Sequence, residues 1–390
     1  MDWSVKIAET VMRRFPRAGL YPWKPWSYPE GFLLWGFEEL YKTTGDKRYE
    51  DYILQFADEF VDESGRIPLF AGDSLDDMLC GSVIALAYSK TGAPKYKTAC
   101  RQVRRAFDAY PRNADGGFWH GADLPREMWV DGVFMGQMFL LKYGSLVEDA
   151  EYCFDEAVRQ ITLIYDRARK PGTGLIYHAY SEDRKAFWAD PVTGLSPEVW
   201  CEGLGWYAVL LPHAAEALPE NHAGRAAVLR QYTELLQSLK DCQDPATGLW
   251  YQIVDKGGRP DNWHDTSGSA MFAYSMMRAV ELGVVGEGYA QAARLAYSGL
   301  TSKMKLNAGG LADIYDACEG LCVQKDYAAY INYPKTVNAQ ECVAACLMAA
   351  ATAGRLEKEE AEAGENLAKF RVEQTKTIAE RIDFSKPLRE

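Results

Sequence analysis

Residues 129–144 read WVDGVFMGQMFLLKYG, a single acid, Asp131, set in front of a run that is otherwise almost entirely apolar. The apolar positions cover more than one helical face, the pattern of a helix buried all round. The run stops at Gly144, a usual helix terminator. An aspartate in the first turn satisfies free backbone amides and the helix dipole, which accounts for Asp131 without assigning it chemistry. What decides the fold is that the pattern recurs.

Five further segments share it: EGFLLWGFEELYKTTG (30–45), LDDMLCGSVIALAYSKTG (75–92), WCEGLGWYAVLLPHAAEAL (200–218), HDTSGSAMFAYSMMRAVELG (264–283) and NAQECVAACLMAATAG (338–353). Each opens with an acid: Glu30, Asp76 or Asp77, Glu202, Asp265 and Glu341. Between them lie amphipathic segments with charged faces, such as KRYEDYILQFADEFV and GRAAVLRQYTELLQSLKD, which read as outer helices. With the N-terminal WSVKIAETVMRRF the count is six inner and six outer helices, which closes into a ring. The expectation is an all-α fold, an (α/α)6 barrel, as one domain over residues 1–390, with a polar helical tail from about 356 packed outside.

Inner-to-outer links are short and outer-to-inner links are long, so the long loops gather at one end, where a scaffold carries function. Nine of the eleven tryptophans (23, 26, 119, 129, 188, 200, 206, 250 and 263) fall in these loops or in the first turns that follow. Flat aromatic faces beside a few polar groups make a pocket of the kind sugars use, although Trp206 can equally serve the core.

A net charge of -12 excludes nucleic acid and anionic membrane surfaces as partners, since both need a basic footprint. The start of the chain lacks the apolar run and cleavage site of an export signal, and no stretch is long and apolar enough for a membrane helix, so a cytoplasmic protein is expected. The nine cysteines lack CxxC pairs and suit free thiols in a reducing compartment. No phosphate-binding glycine loop occurs, and no cofactor is expected.

Proton transfer needs a carboxyl group with a raised pKa, from an apolar setting or a second carboxylate nearby. Asp131, beside Trp129, Val130 and Phe134, and Asp76 on the neighbouring inner helix meet both conditions. His120, His178 and His264 stand in long loops, each close to an aromatic residue. They come from different repeats and lack an HxxxH spacing, which favours hydrogen bonding to substrate over a metal site. His213 and His222 fall near a short connector at the other rim and take no role.

The ordered motifs GGFWH, MWVDGVFM, TGLIYHAY, FWADPVTGLSPEVW, GLGWYAVLL and TSGSAMFAYSM resemble glycoside hydrolase family 105, the unsaturated rhamnogalacturonyl hydrolases, and less closely the family 88 unsaturated glucuronyl hydrolases. The resemblance runs from about Trp26 to Ala350 and implies the same (α/α)6 barrel. It implies hydration of the C4=C5 double bond of a terminal unsaturated uronic acid on a small acidic oligosaccharide, after which the ring opens and the next sugar is released. It places the catalytic acid on Asp131, its partner on Asp76, a loop histidine on His178 and aromatic positions on Trp129, Trp188, Trp200 and Trp206.

One position departs. Many members carry W-x-R-x-x-G-W at the fourth inner helix, with an arginine associated with substrate binding, whereas WCEGLGW places Glu202 there. Lys335, Arg126 and protonated His264 are the candidate replacement cations. Two other readings stay open on this scaffold, a sugar epimerase or isomerase and a non-catalytic carbohydrate-binding protein, because a fold alone does not settle function.

Overall fold

The apolar segments form helices α2 (Tyr28–Thr44), α4 (Leu79–Thr91), α6 (Val130–Leu146), α8 (Cys201–Ala217), α10 (Thr266–Glu281) and α13 (Gln340–Arg381) in the computed structural model, which describes residues 2–381. Each packs on the next and α13 closes against α2, so they make a ring. Outside it stand the amphipathic helices α1 (Trp3–Arg14), α3 (Lys47–Phe60), α5 (Pro94–Ala106), α7 (Ala150–Ala168), α9 (Arg225–Cys242) and α11 (Glu287–Ser302). The architecture is the (α/α)6 barrel. The segregation follows from burial: nearly every side chain of α6 and α8 is buried, whereas α5 buries only Tyr96, Ala99, Cys100 and Val103.

The expected tail from about 356 is no separate element: α13 runs through it without a break. Leu356 packs on the core and Glu360 pairs with Arg294 of α11 at 3.2 Å. The last nine residues of the expected tail, 382–390, lie outside the described residues.

The fold is not wholly helical. Strands β1 (Glu127–Trp129) and β2 (Ala179–Ser181) pair antiparallel, as do β3 (Trp250–Tyr251) with β4 (His264–Asp265), β5 (Met304–Leu306) with β6 (Ala312–Ile314) and β7 (Ala317–Cys318) with β8 (Lys335–Thr336). A short helix α12 (Tyr327–Ile331) lies between β7 and β8. The long loops cover one end of the barrel, and their buried backbone groups need partners, which these two-stranded ladders supply.

A repeated tie fixes where inner helices begin. The first N–H of a helix has no partner within it. At α6, α8 and α10 that donor reaches the loop ahead of the next inner helix: Val130 N to His178 O at 3.0 Å, Cys201 N to Gln252 O at 2.9 Å and Thr266 N to Asp316 O at 3.0 Å. Leu75 N likewise donates to His120 O at 3.0 Å. The ties at Leu75, Val130 and Thr266 accompany Asp76 beside His120, Asp131 beside His178 and Asp265 beside Cys318.

The opposite end is closed by paired charges: Lys90 to Glu38 at 2.9 Å, Arg278 to Glu216 at 2.9 Å, and Arg355 to Glu39 and Glu281, both at 2.9 Å. His213 is buried there between Lys142 and Tyr274. No helix among the described residues is long and apolar enough to cross a membrane.

Candidate active site

Beneath the long loops lies a cavity of about 650 Å³ walled by Asp76, Asp131, Glu202, His120, Trp129, Trp200 and Trp206, together with Trp23, Lys24, Tyr28 and Cys322. Asp131 enters it from the first turn of α6, and Asp76 from a tight turn, Asp76–Met78, that precedes α4.

Asp131 is held by its neighbour loop. The pairing of Trp129 with Ala179 in β1–β2 and the Val130–His178 tie bring His178 Nε2 to 3.0 Å from Asp131 Oδ2. His178 is fully buried, packs 4.6 Å from the Trp200 ring and has its other nitrogen, Nδ1, 2.9 Å from the Tyr330 hydroxyl. The direction of these bonds follows the proton on Asp131: against the carboxylate, Nε2–H donates to Oδ2 and the Tyr330 hydroxyl donates to Nδ1; against the acid, Oδ2–H donates to Nε2 and Nδ1–H donates to the Tyr330 oxygen. Glycine is needed after Asp131 and after Glu202: a Cβ on Gly132 would meet His120 Nδ1 at 2.5 Å, and one on Gly203 would meet the Trp200 ring at 2.8 Å.

Asp76 has His120 Nε2 at 3.7 Å, and His120 in turn stacks on Trp129 with ring centroids 4.4 Å apart and planes 8° apart. Burial raises the Asp76 pKa, His120 opposes the rise and the charge of Asp131 adds to it. The two carboxyl groups thus feel each other across the cavity. His120 Nδ1 and Trp200 Nε1 are buried without a protein partner, and His120 Nδ1 lies against Gly132 of α6.

Trp206 stacks on Phe134 at 5.1 Å and meets Phe32 and Tyr28 edge-on, so it is both cavity wall and core.

Glu202 is buried at the cavity wall within a ring of acids. The Ser267 hydroxyl is hydrogen-bonded to Glu202 Oε2 and lies 2.8 Å from Asp265 Oδ2. A hydroxyl carries one hydrogen, so one of the two carboxyl groups must supply the other. Asp265 also accepts from Gly268 N at 2.7 Å and Cys318 N at 2.8 Å, which stabilise it as an anion. The extra proton therefore sits on Glu202: its Oε2–H donates to Ser267, which donates to Asp265. Burial first, and then the neighbouring Glu341 and Asp265, raise the Glu202 pKa well above the usual carboxylate range, in accord with this count. Glu341 itself accepts from the Tyr28 hydroxyl at 2.7 Å.

Four expected site residues do not line the cavity: His178 stands behind Asp131, and Trp188, His264 and Lys335 lie elsewhere. Trp188 packs behind Trp129 with Ala179 and Val323. His264 points away because successive strand residues face opposite sides: Asp265 turns inward, while His264 pairs with Asp244 at 2.9 Å and lies on the Tyr251 ring. Lys335 is exposed on β8 over the Trp263 ring. Arg126 is committed to Glu182 at 3.0 Å. Conversely, Lys24, Tyr28, Cys322 and Tyr330 belong to the site and were not singled out. The stretch YPWKPWSYPEG, rich in aromatics and placed in a long loop, was the available signal for the first two.

Among the described residues no group of three or more His, Cys, Asp or Glu side chains is arranged to hold a metal ion, and all nine cysteines are free thiols.

The chain resembles known proteins over most of its length. It is 36% identical over 159 residues to the 24.9 kDa protein in the picA locus of Rhizobium radiobacter, covering 41% of this chain and 66% of that protein, just under two thirds of its length. It is 27% identical over 263 residues to the unsaturated rhamnogalacturonyl hydrolase YesR of Bacillus subtilis, covering 66% of this chain and 72% of that protein. In structure it matches a family 105 glycoside hydrolase of C. acetobutylicum with a TM-score of 0.84 at 30% identity, over 90% of this chain and 99% of the other. The family model described as Glycosyl Hydrolase Family 88 matches residues 3–357, and the chain belongs to that family.

Proposed function

We propose that this protein removes a terminal 4,5-unsaturated uronic acid from short oligosaccharides by hydrating the C4=C5 double bond, with rhamnogalacturonan-type disaccharides as substrates. The observation that carries the reading is the Asp131–His178 pair facing Asp76 across an indole-walled cavity. The relatives named as family 105 and as an unsaturated rhamnogalacturonyl hydrolase support it.

Asp131 delivers a proton to C4, and positive charge develops at C5 and the ring oxygen. Water adds at C5 while Asp131, now a carboxylate, accepts its proton. His178 holds Asp131 in place, with Tyr330 fixing the imidazole from behind. Asp76 stands beside the developing cation and stabilises it. The hemiketal then opens to a C5 ketone, the former ring oxygen becomes a hydroxyl on C1, and C1 expels the next sugar to leave an aldehyde. One water is consumed and the ring atoms balance. Trp129, Trp200 and Trp206 present flat walls to the sugar. The reaction requires no cofactor.

The test is turnover of an unsaturated disaccharide in deuterium oxide. The reading predicts one deuterium at C4 of the released uronate and no action on the saturated disaccharide. Cleavage of the saturated compound, or release without deuterium at C4, contradicts it.

A further inference from the structure

The proposed substrate is an anion, yet the cavity receives Asp76, Asp131 and Glu202. Glu202 adds no repulsion, being neutral through its chain to Ser267 and Asp265. Asp131 enters the proposed reaction protonated, which leaves the carboxylate of Asp76 to be countered, and Lys24 is the one lysine or arginine among the described residues lining the cavity.

Lys24 is carried by the loop joining α1 to α2, which is pinned and bent. Trp26 is buried, donates from Nε1 to Asp77 O at 3.1 Å and stacks on Phe56. Trp23 and Trp26 both take positive φ, 103° and 59°, conformations that non-glycine residues hold only where the surroundings impose them. The bent loop carries Lys24 and Trp23 at the cavity wall, with Trp23 68% exposed. Lys24 Nζ lies 3.2 Å from Asp77 Oδ1, yet the side chain is 57% exposed, which leaves donors for a second acceptor. Its positive charge also acts on Asp76, Asp77 and Glu30, so it lies within electrostatic reach of the acids around the cavity.

We infer that Lys24 is the residue that receives the substrate carboxylate, and that it sets the preference of this site for a uronate over a neutral sugar. The inference rests on the uronate reading. Lys24 bridges two carboxylates, Asp77 of the protein and that of the substrate, and the Trp23 indole beside it covers the adjoining sugar.

The experiment compares an unsaturated disaccharide bearing a free carboxylate with its methyl ester, on wild type, Lys24→Met, Lys24→Arg and the double variant K24M/D77N, which avoids stranding Asp77. Losing a hydrogen bond to a charged group corresponds to a rise in KM of about ten- to a hundredfold for the free acid. The rise should appear in both methionine variants, with a smaller effect on kcat and on the ester, and Lys24→Arg should restore most of the affinity. Unchanged discrimination between acid and ester in both methionine variants would overturn the inference. So would a loss confined to Lys24→Met and cured by K24M/D77N, which would make Lys24 only the partner of Asp77. A wild type inactive on every unsaturated disaccharide would instead sink the uronate reading, and this inference with it.

Discussion

His178 Nε2 lies 3.0 Å from Asp131 Oδ2, and the contact is set by backbone before it is set by side chains: Trp129 pairs with Ala179, and Val130 N binds His178 O. Tyr330, from the short helix α12 more than 150 positions along the chain, completes the line from the far side of the ring. General acid catalysis by a positioned side chain is worth about a hundredfold to ten-thousandfold. Asp131→Asn should therefore lower kcat by about a thousandfold with the fold intact. His178→Ala should cost less, and Tyr330→Phe, which removes only the support of the imidazole, less again and without raising KM. Steady-state kinetics on the three variants check the order.

Stability should fall as pH rises. Burial pushes Glu30 up to about 8 and also raises Glu202 and Glu341. An acid whose folded pKa exceeds its unfolded value binds more protons in the folded state, so its stabilising contribution is full below the unfolded pKa and is lost as pH climbs toward the folded one. The midpoint of chemical denaturation should thus be higher at pH 5 than at pH 8. Glu30→Gln keeps a group able to bond Ser27 N, as Glu30 does at 3.2 Å, and should flatten that slope.

Ser267 supplies a second check on the protonation of Glu202. If Oε2–H of Glu202 donates to Ser267, a glutamine amide can do the same, and Glu202→Gln should fold as well as wild type at pH 5 and better at pH 8. Ser267→Ala strands Glu202 and should destabilise by about 1–3 kcal/mol, the toll of a buried polar group left unpaired. Denaturant unfolding of both variants at the two pH values decides the matter, and a Glu202→Gln variant weakened equally at both would place the proton elsewhere.

Two tryptophans at the cavity should respond in opposite ways. Trp206 is buried against Phe134 and Phe32, and Trp206→Ala should lose about 3–5 kcal/mol of stability. Trp23 is exposed, so Trp23→Ala should leave the unfolding midpoint in place while raising KM for the disaccharide. Thermal melts and kinetics measured together separate the two.

How much of this was legible in the sequence follows from locality. The inner helices announced themselves because a segment buried all round is apolar all round, and α6 and α8 are buried along nearly their whole length. The long loops, and with them the working end, followed from connection lengths. The ladders did not, because β1 and β2 pair across about fifty residues and two- or three-residue strands carry no periodic signal. The same gap misplaced His264: its neighbour Asp265 begins an inner helix, but the two residues form a strand, whose alternation turns the imidazole outward. Lys24 went unread because it stands at the cavity on a loop bent by positive φ at Trp23 and Trp26, residues with no local preference for it. Tyr330 reaches His178 only through the closing of the last loop over the barrel.

The most direct test of the account is the ultraviolet absorbance of the conjugated C4=C5–carboxylate group while purified protein acts on an unsaturated rhamnogalacturonan disaccharide. The account predicts that the absorbance decays in step with the appearance of free reducing sugar, and that Asp131→Asn abolishes both. Release of sugar with the chromophore intact, or decay undiminished in Asp131→Asn, would contradict it.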